Sequence, residues 1–188
     1  MIEFTSDQIA RAERLLGNIK GALPAVQARA INRSLGSARA EAVRAVRAEY
    51  TVSAEAVRKT IATKNATPSM PLGIIIATGT PIAMSKFDVS PTRPDPKAKR
   101  SVTVRVKKGS GRKTVKSAFL ARMGSGHVGV FKRAGKKRLP IEQRFGPSVP
   151  QMLGSDNVTR QIEQKARETL DARLDHEIGR ILERGTVR

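Results

Sequence analysis

The sequence predicts an α+β fold: N-terminal helices, a small central antiparallel β-sheet carrying a basic loop, and a long C-terminal amphipathic helix. Three observations lead there. Apolar residues recur every three or four positions near both ends of the chain. Between them the period drops to two, most clearly at Ser101-Val102-Thr103-Val104-Arg105-Val106-Lys107. The strand-like segments follow one another through proline- and glycine-containing connections without intervening helices, which favours antiparallel pairing.

Each element has its own local signal. Ser6 is placed to cap a first helix in which Ile9, Ala12, Leu16 and Ile19 share a face, and Gly21 followed by Pro24 marks its end. Pro24 suits the first turn of a second helix running to about Tyr50, with Val26, Ala30, Leu35, Ala38, Ala42, Val43 and Val46 on one face. Its alanines permit close packing against another helix or a neighbouring subunit, while Gly36 weakens it locally. Ser53 caps a short third helix carrying Ala56, Val57 and Ile61.

Leu72 to Thr78 and Ile82 to Phe87 read as the two strands of a hairpin, turning at Gly79-Thr80-Pro81. Asp88 to Pro96 contains Pro91, Pro94 and Pro96 and reads as an extended connector, because proline lacks the backbone donor of a ladder. A strand over 101–107 puts three valines on one face. Lys108 to Thr114, with Gly109 and Gly111, is a basic loop, and Phe119 to Arg122 and Val128 to Lys132 are later strands. Asp156 or Asn157 then caps the last helix, where Val158, Ile162, Ala166, Leu170, Leu174, Ile178 and Leu182 recur every four residues until Gly185. The chain so divides into a helical part, 1–66, a β-rich basic part, 67–150, and a C-terminal helix, 151–188, read as one structural domain with a helical arm.

Composition narrows the function. A chain of 188 residues can bury a core, but its six aromatics (Phe4, Tyr50, Phe87, Phe119, Phe131, Phe145) leave that core to Ala, Val, Leu and Ile and supply no base-stacking platform. Cysteine is absent, which excludes disulfides, thiolate metal sites and a Cys nucleophile. The longest apolar run, Leu72 to Ala77, is far short of the roughly 18 to 20 residues of a membrane span. The acidic start Met1-Ile2-Glu3 is unlike a secretory signal, so the expectation is a soluble intracellular product.

The net charge is +20, and it is unevenly spread: +8 over 1–100, +12 over 101–150 and 0 over 151–188. Between Asp95 and Glu142 there are 15 bases and no acid. Such a run repels itself unless a polyanion or an acidic partner approaches, and it marks Lys107, Lys108, Arg112, Lys113, Lys116, Lys132, Arg133, Lys136, Lys137 and Arg138 as candidate contacts to DNA or to an acidic protein. Such contacts position a protein without reading bases, and neither a zinc finger nor a helix-turn-helix is present.

Enzymatic signatures fail on inspection. Gly109-Ser110-Gly111-Arg112-Lys113-Thr114 is superficially like a phosphate-binding loop, but Arg112 stands where the glycine before the lysine is required. Gly124-Ser125-Gly126-His127 brings a serine near a histidine without an orienting acid, and reads as a turn. His127 and His176 are the only histidines, too few to suggest a metal centre, and His176 reads as solvated near a helix end. No catalytic residue, cofactor or metal is expected. For the C-terminal helix, Val158, Ile162, Leu170, Leu174, Ile178 and Leu182 are the candidate packing or assembly residues.

Two ordered segments carry a resemblance: Gly126-His127-Val128-Gly129-Val130-Phe131-Lys132-Arg133 with Lys136-Lys137-Arg138-Leu139-Pro140-Ile141, then Phe145-Gly146-Pro147-Ser148-Val149-Pro150-Gln151-Met152. Together they resemble the minor tail protein Z, or tail completion, family of long-tailed phages and prophages, over most of the chain. The resemblance implies a structural virion protein made in the host cytoplasm and acting late in tail assembly, at the neck where tail joins head and DNA passes. It implies other tail and neck proteins as partners, a homo-oligomeric ring, hexameric by analogy with the tail's sixfold symmetry, and no enzymatic activity. The alternative is a sequence-independent nucleic-acid-binding protein, ribosome- or chromosome-associated, that binds as a monomer.

Overall fold

The computed structural model describes residues 6–17, 22–95 and 101–186. Among them are five α-helices: α1 (Ser6–Leu16), α2 (Ala22–Glu49), α3 (Ala54–Arg58), α4 (Val149–Leu153) and α5 (Asp156–Thr186). Eight strands lie between α3 and α4: β1 (Ile61–Lys64), β2 (Ile74–Ala77), β3 (Asp88–Ser90), β4 (Thr103–Arg105), β5 (Lys113–Thr114), β6 (Ala118–Arg122), β7 (Val128–Arg133) and β8 (Ile141–Gln143). The fold is α+β with antiparallel pairing throughout, and the strands form three small sheets, β1-β2, β3-β4-β5 and β6-β7-β8.

Several expected boundaries move. The first helix stops at Leu16, because Gly17 takes the left-handed backbone (φ 51°) in which glycine ends helices. Ile19 and Gly21 lie outside the described residues, as does Pro96. Ile61 does not continue the third helix: α3 ends at Arg58, and Ile61 opens β1, its β-branched side chain buried opposite Ala77 of β2. The expected hairpin partner of β2 is therefore wrong. Ile82–Phe87 instead makes an isolated bridge from Ala83 to Phe145 and a short 3-10 turn at Met84–Lys86.

The proline connector likewise yields a strand before its first proline, with Asp88, Val89 and Ser90 pairing to Arg105, Val104 and Thr103. The 101–107 strand contracts to β4, and the end of the basic loop pairs with it as β5.

The chain forms two compact units. The first is drawn from Met1–Ala42, Ile61–Ala77 and Asp156–Arg188. In it α1, the first part of α2 and α5 close on a core of Ala12, Leu16, Ala22, Val26, Ala30, Leu170, Leu174 and Ile178. Small residues bring α2 and α5 close enough for the buried Ser34 hydroxyl to donate to the Ala166 carbonyl at 2.7 Å. Along α1, Gln8 donates to Asp171 and Arg11 pairs with Asp175 at 3.1 Å, so α1 runs alongside α5.

The β1–β2 hairpin is fastened to α2. Asn32 donates from Nδ2 to the Ala66 carbonyl at 2.9 Å and accepts the Ala66 N–H at 2.8 Å. Gly73 comes so near α2 that a Cβ there would meet Leu35 Cδ1 at 2.5 Å and Ile31 Cγ2 at 2.6 Å, so a side chain at this position would require those two to shift.

The buried face of α5 departs from strict fours. On a helix with 3.6 residues per turn each step of four overshoots by about 40°, so such a stripe winds off the face it starts on. Ala166, Leu170, Leu174 and Ile178 are buried, but the next contact is Ile181, three residues on, and Leu182 is 36% exposed. Val158 is buried and Ile162 half-buried.

The second unit comprises Val43–Thr60 and Thr78–Ser155. Val46, Val57, Val102, Val130, Val149 and Met152 are its most deeply buried side chains, and Tyr50, Phe87 and Phe131 are buried with them, so the aromatics enter a core that composition assigns to aliphatic residues. The chain leaving α2 docks on β4, since Thr51 N–H donates to the Val106 carbonyl at 2.9 Å and Lys108 N–H to the Glu49 carbonyl at 2.7 Å. Ser148 caps α4 in a capping box: its N–H donates to Gln151 Oε1 at 2.9 Å while its hydroxyl accepts the Gln151 N–H.

Candidate functional site

All ten candidate basic contacts are exposed, and they fall at two places in the second unit. Lys107, Lys108, Arg112, Lys113 and Lys116 surround the turn between β4 and β5 and its exit, while Lys132, Arg133, Lys136, Lys137 and Arg138 occupy the end of β7 and the turn to β8.

Acids from outside the acid-free run reach the first group. Lys107 Nζ lies 2.6 Å from Glu49 Oε1 and 5.2 Å from the centre of the Tyr50 ring. The Glu49 carboxylate, and behind it Tyr50, hold the Lys107 ammonium above its ordinary range. Arg112 pairs with Asp88 Oδ1 at 2.5 Å and Arg105 with Oδ2 at 2.7 Å. Partial burial pushes the Asp88 carboxyl up, but hydrogen bonds from Arg112 and Arg105 outweigh it and hold the group below the usual carboxylate range. A count along the sequence cannot see these neighbours, which fold back from distant positions.

The remaining lysines differ. Lys108, Lys113, Lys116, Lys132, Lys136 and Lys137 form no ion pair among the described residues. The Arg133 guanidinium sits 5.0 Å from the Phe119 ring centre. Arg133 and Arg138 also line an open cleft of about 1070 Å³ together with Arg93 and Arg122, two residues that sequence reasoning did not single out.

The other candidates take structural positions. Lys113 opens β5, where the lysine of a phosphate-binding loop would open a helix. Ser125 and His127 are exposed in the turn between β6 and β7, and His127 Nε2 lies 3.1 Å from Gln143 Nε2, its ring edge-on to Phe131. His176 is exposed on α5. Among the described residues no group of three or more His, Asp or Glu is placed to hold a metal, and no helix is long and apolar enough to cross a membrane.

One charged residue was missed by the apolar pattern because it occupies a core position. Glu177 of α5 is 5% exposed and pairs with Arg29 of α2 at 2.6 Å and with Arg180 at 3.3 Å. Burial pushes its carboxyl up, but Arg29 and Arg180, with His176 behind them, outweigh that and hold it below the usual range. A depressed folded-state pKa contributes stability above the unfolded-state value of about 4.3 and loses it as pH falls through the lower folded value. Glu177→Gln is expected to cost about 1 to 3 kcal/mol at pH 7, less than a fully buried pair because Arg29 keeps access to water. Urea melts of wild type and variant should converge as pH is lowered from 6 towards 3; a gap that stays constant would show that the pair does not set the pH dependence.

The family described as prophage minor tail protein Z (GPZ) matches residues 9–188, nearly the whole chain. Among curated proteins none matches, and among solved structures none does. The match spans the helical and β-rich parts alike, and with it the segments 126–141 and 145–152 whose residues carry the resemblance. The chain therefore belongs to the prophage minor tail protein Z family, structural components of the phage tail.

Proposed function

We propose that this tail protein acts at the head-proximal end of the tail, completing the tail and joining it to the head as a closed homo-oligomeric ring. It does so as a structural component, without catalytic turnover. Its basic surface faces the passage through which DNA moves. The observation that carries this reading is the set of unpaired lysines on one unit, Lys108, Lys113, Lys116, Lys132, Lys136 and Lys137, in a chain of net charge +20. Lysine suits such a passage: its ammonium is a strongly hydrated point charge that attracts phosphate without fixing it in a bidentate geometry. Crowding these charges around a ring axis is unfavourable until a polyanion neutralises them, which links assembly to DNA.

Deletion of the gene tests the reading directly. A phage lacking it is expected to accumulate filled heads and separate tails, and purified protein added to the lysate should restore infectious particles, with native mass spectrometry giving one closed oligomer. Normal joining by the deletion phage would overturn the proposal. A protein that stays monomeric and binds nucleic acid tightly would favour the stand-alone nucleic-acid binder.

A further inference from the structure

We propose that β6 is a docking edge: an acidic, extended segment of a partner tail protein adds to it as a further strand, its carboxylates held by the arginines of the adjoining cleft. The proposal rests on the reading of the chain as a tail component only for the identity of the partner. The site itself stands on three observations within the second unit.

The first is an open edge. In the sheet ordered β6-β7-β8, β6 pairs with β7 alone, and from Phe119 to Arg122 no backbone group on its outer side bonds to any other described segment. Exposed edges are ordinarily protected by charge, proline or a bulge; on β6 the one charge is Arg122 at its end, Ala118-Phe119-Leu120-Ala121 carries none of these, and Pro91 and Pro94 line the adjoining cleft. An unpaired edge offers a ready ladder of donors and acceptors to an incoming strand.

The second is a cleft of about 1070 Å³ lined by four consecutive residues of this strand, Phe119 to Arg122, and walled also by Pro91 to Asp95, by Arg133 of β7 and by Ile141 of β8. The third is the chemistry of its walls. Arg93, Arg122, Arg133 and Arg138 line it and none forms an ion pair among the described residues, against the single acid Asp95. Ile141 and Leu139, the latter 66% exposed, line the same cleft. Guanidinium forks match carboxylates two bonds at a time, and successive residues of a strand point to opposite sides. The occupant that satisfies edge, charge and apolar surface together is an extended peptide in which acidic and apolar residues alternate.

Other occupants fit less well. Duplex DNA supplies anions but neither a backbone ladder for the β6 edge nor an apolar face for Leu139. A second copy of this chain cannot supply the segment, because its most acidic stretch, Glu168 to Glu177, is already wound into α5.

The test uses the intact protein and fluorescence polarisation. The probe is a labelled ten-residue peptide alternating Glu and Val, compared with its Lys-Val counterpart, with a 20-base-pair duplex as competitor, and with two versions N-methylated on alternate residues, one for each edge of the peptide. The Glu-Val peptide is expected to bind and the Lys-Val peptide to bind at least tenfold more weakly. One N-methylated version should lose at least tenfold while the other stays within about threefold of the parent, because only one edge meets β6. The double variant Arg122→Glu, Arg138→Glu should weaken the parent peptide at least tenfold while keeping the wild-type melting temperature. Equal affinities of the two N-methylated peptides would overturn strand addition without any variant having to fold. Displacement of the peptide by equimolar duplex would overturn the peptide assignment in favour of nucleic acid. Failure of the peptide to bind a protein that still restores head joining would remove the docking site and leave the tail role standing.

Discussion

Leu174→Ala is expected to lower the melting temperature by roughly 5 to 15 °C, a loss of the size that truncating a fully packed core leucine brings. Leu174 is 5% exposed in the core formed with α1 and α2, and truncating such a leucine removes its transfer energy and leaves a cavity, together about 2 to 5 kcal/mol. For a chain of this length each kcal/mol moves the transition by about 2 to 4 °C. Arg167→Ala, exposed on the same helix, is the control and should stay within about 0.5 kcal/mol. Leu182→Ala should also leave the melting temperature nearly unchanged, since Leu182 has wound off the buried face; if it serves assembly, its loss will register in the oligomer and not in the fold. Thermal melts of the three variants check this, and equal, small shifts at Leu174 and Arg167 would mean that α5 is not docked.

Neutralising the unpaired lysines is expected to remove most of the salt-dependent affinity for duplex DNA. If all six contact phosphate, the logarithm of affinity should fall with the logarithm of salt with a slope near −5, from about 0.9 per contact. Replacing Lys108, Lys113 and Lys116 by Gln should make that slope shallower by about 3, and replacing Lys132, Lys136 and Lys137 as well should leave only what exposed arginines such as Arg133 and Arg138 contribute, whatever the base sequence. The fold should survive, because exposed charges contribute little to stability. Lys107→Gln and Arg112→Gln should behave differently and leave the slope nearly unchanged, since those cations already face Glu49 and Asp88. Absence of binding at low salt would remove DNA as the partner of this surface. Infectious particles from phage carrying the sixfold variant would leave the charges as ordinary solvated surface.

Much of the fold was legible because its strongest signals are local. Ser53 caps α3, with Ala56 N–H donating to its hydroxyl at 3.2 Å, and β6 and β7 lie within a residue of the strands expected over 119–122 and 128–132. The capping box of α4 is also local, Ser148-Val149-Pro150-Gln151 placing a serine and a glutamine three apart with proline in the first turn, a signal the helical periodicity of so short a segment does not carry. Strands β1, β5 and β8 were not legible, because two to four residues carry too little periodicity and such strands exist only through their partners. The same limit applies to the basic surface. Composition found the residues, but which of them are already neutralised depends on Asp88 and Glu49, and the arginine cleft draws on Arg93 and Arg122 from separate segments.

The corrected phase of the α5 stripe bears on how this chain tolerates change in length. Ser34 holds Ala166, Arg11 holds Asp175 and Arg29 holds Glu177, so the helix is read against its neighbours at several points along one register. A single residue inserted ahead of Leu170 would turn everything beyond it by about 100° and carry it about 1.5 Å along the axis, swinging Leu170, Leu174 and Ile178 out of the core at once. Insertions at the exposed turns after β4 and β7 displace no such set. Descendants of this sequence are therefore free to lengthen and shorten at the turns that carry the lysines, while α5 keeps its residue count as strictly as a coding sequence keeps its reading frame.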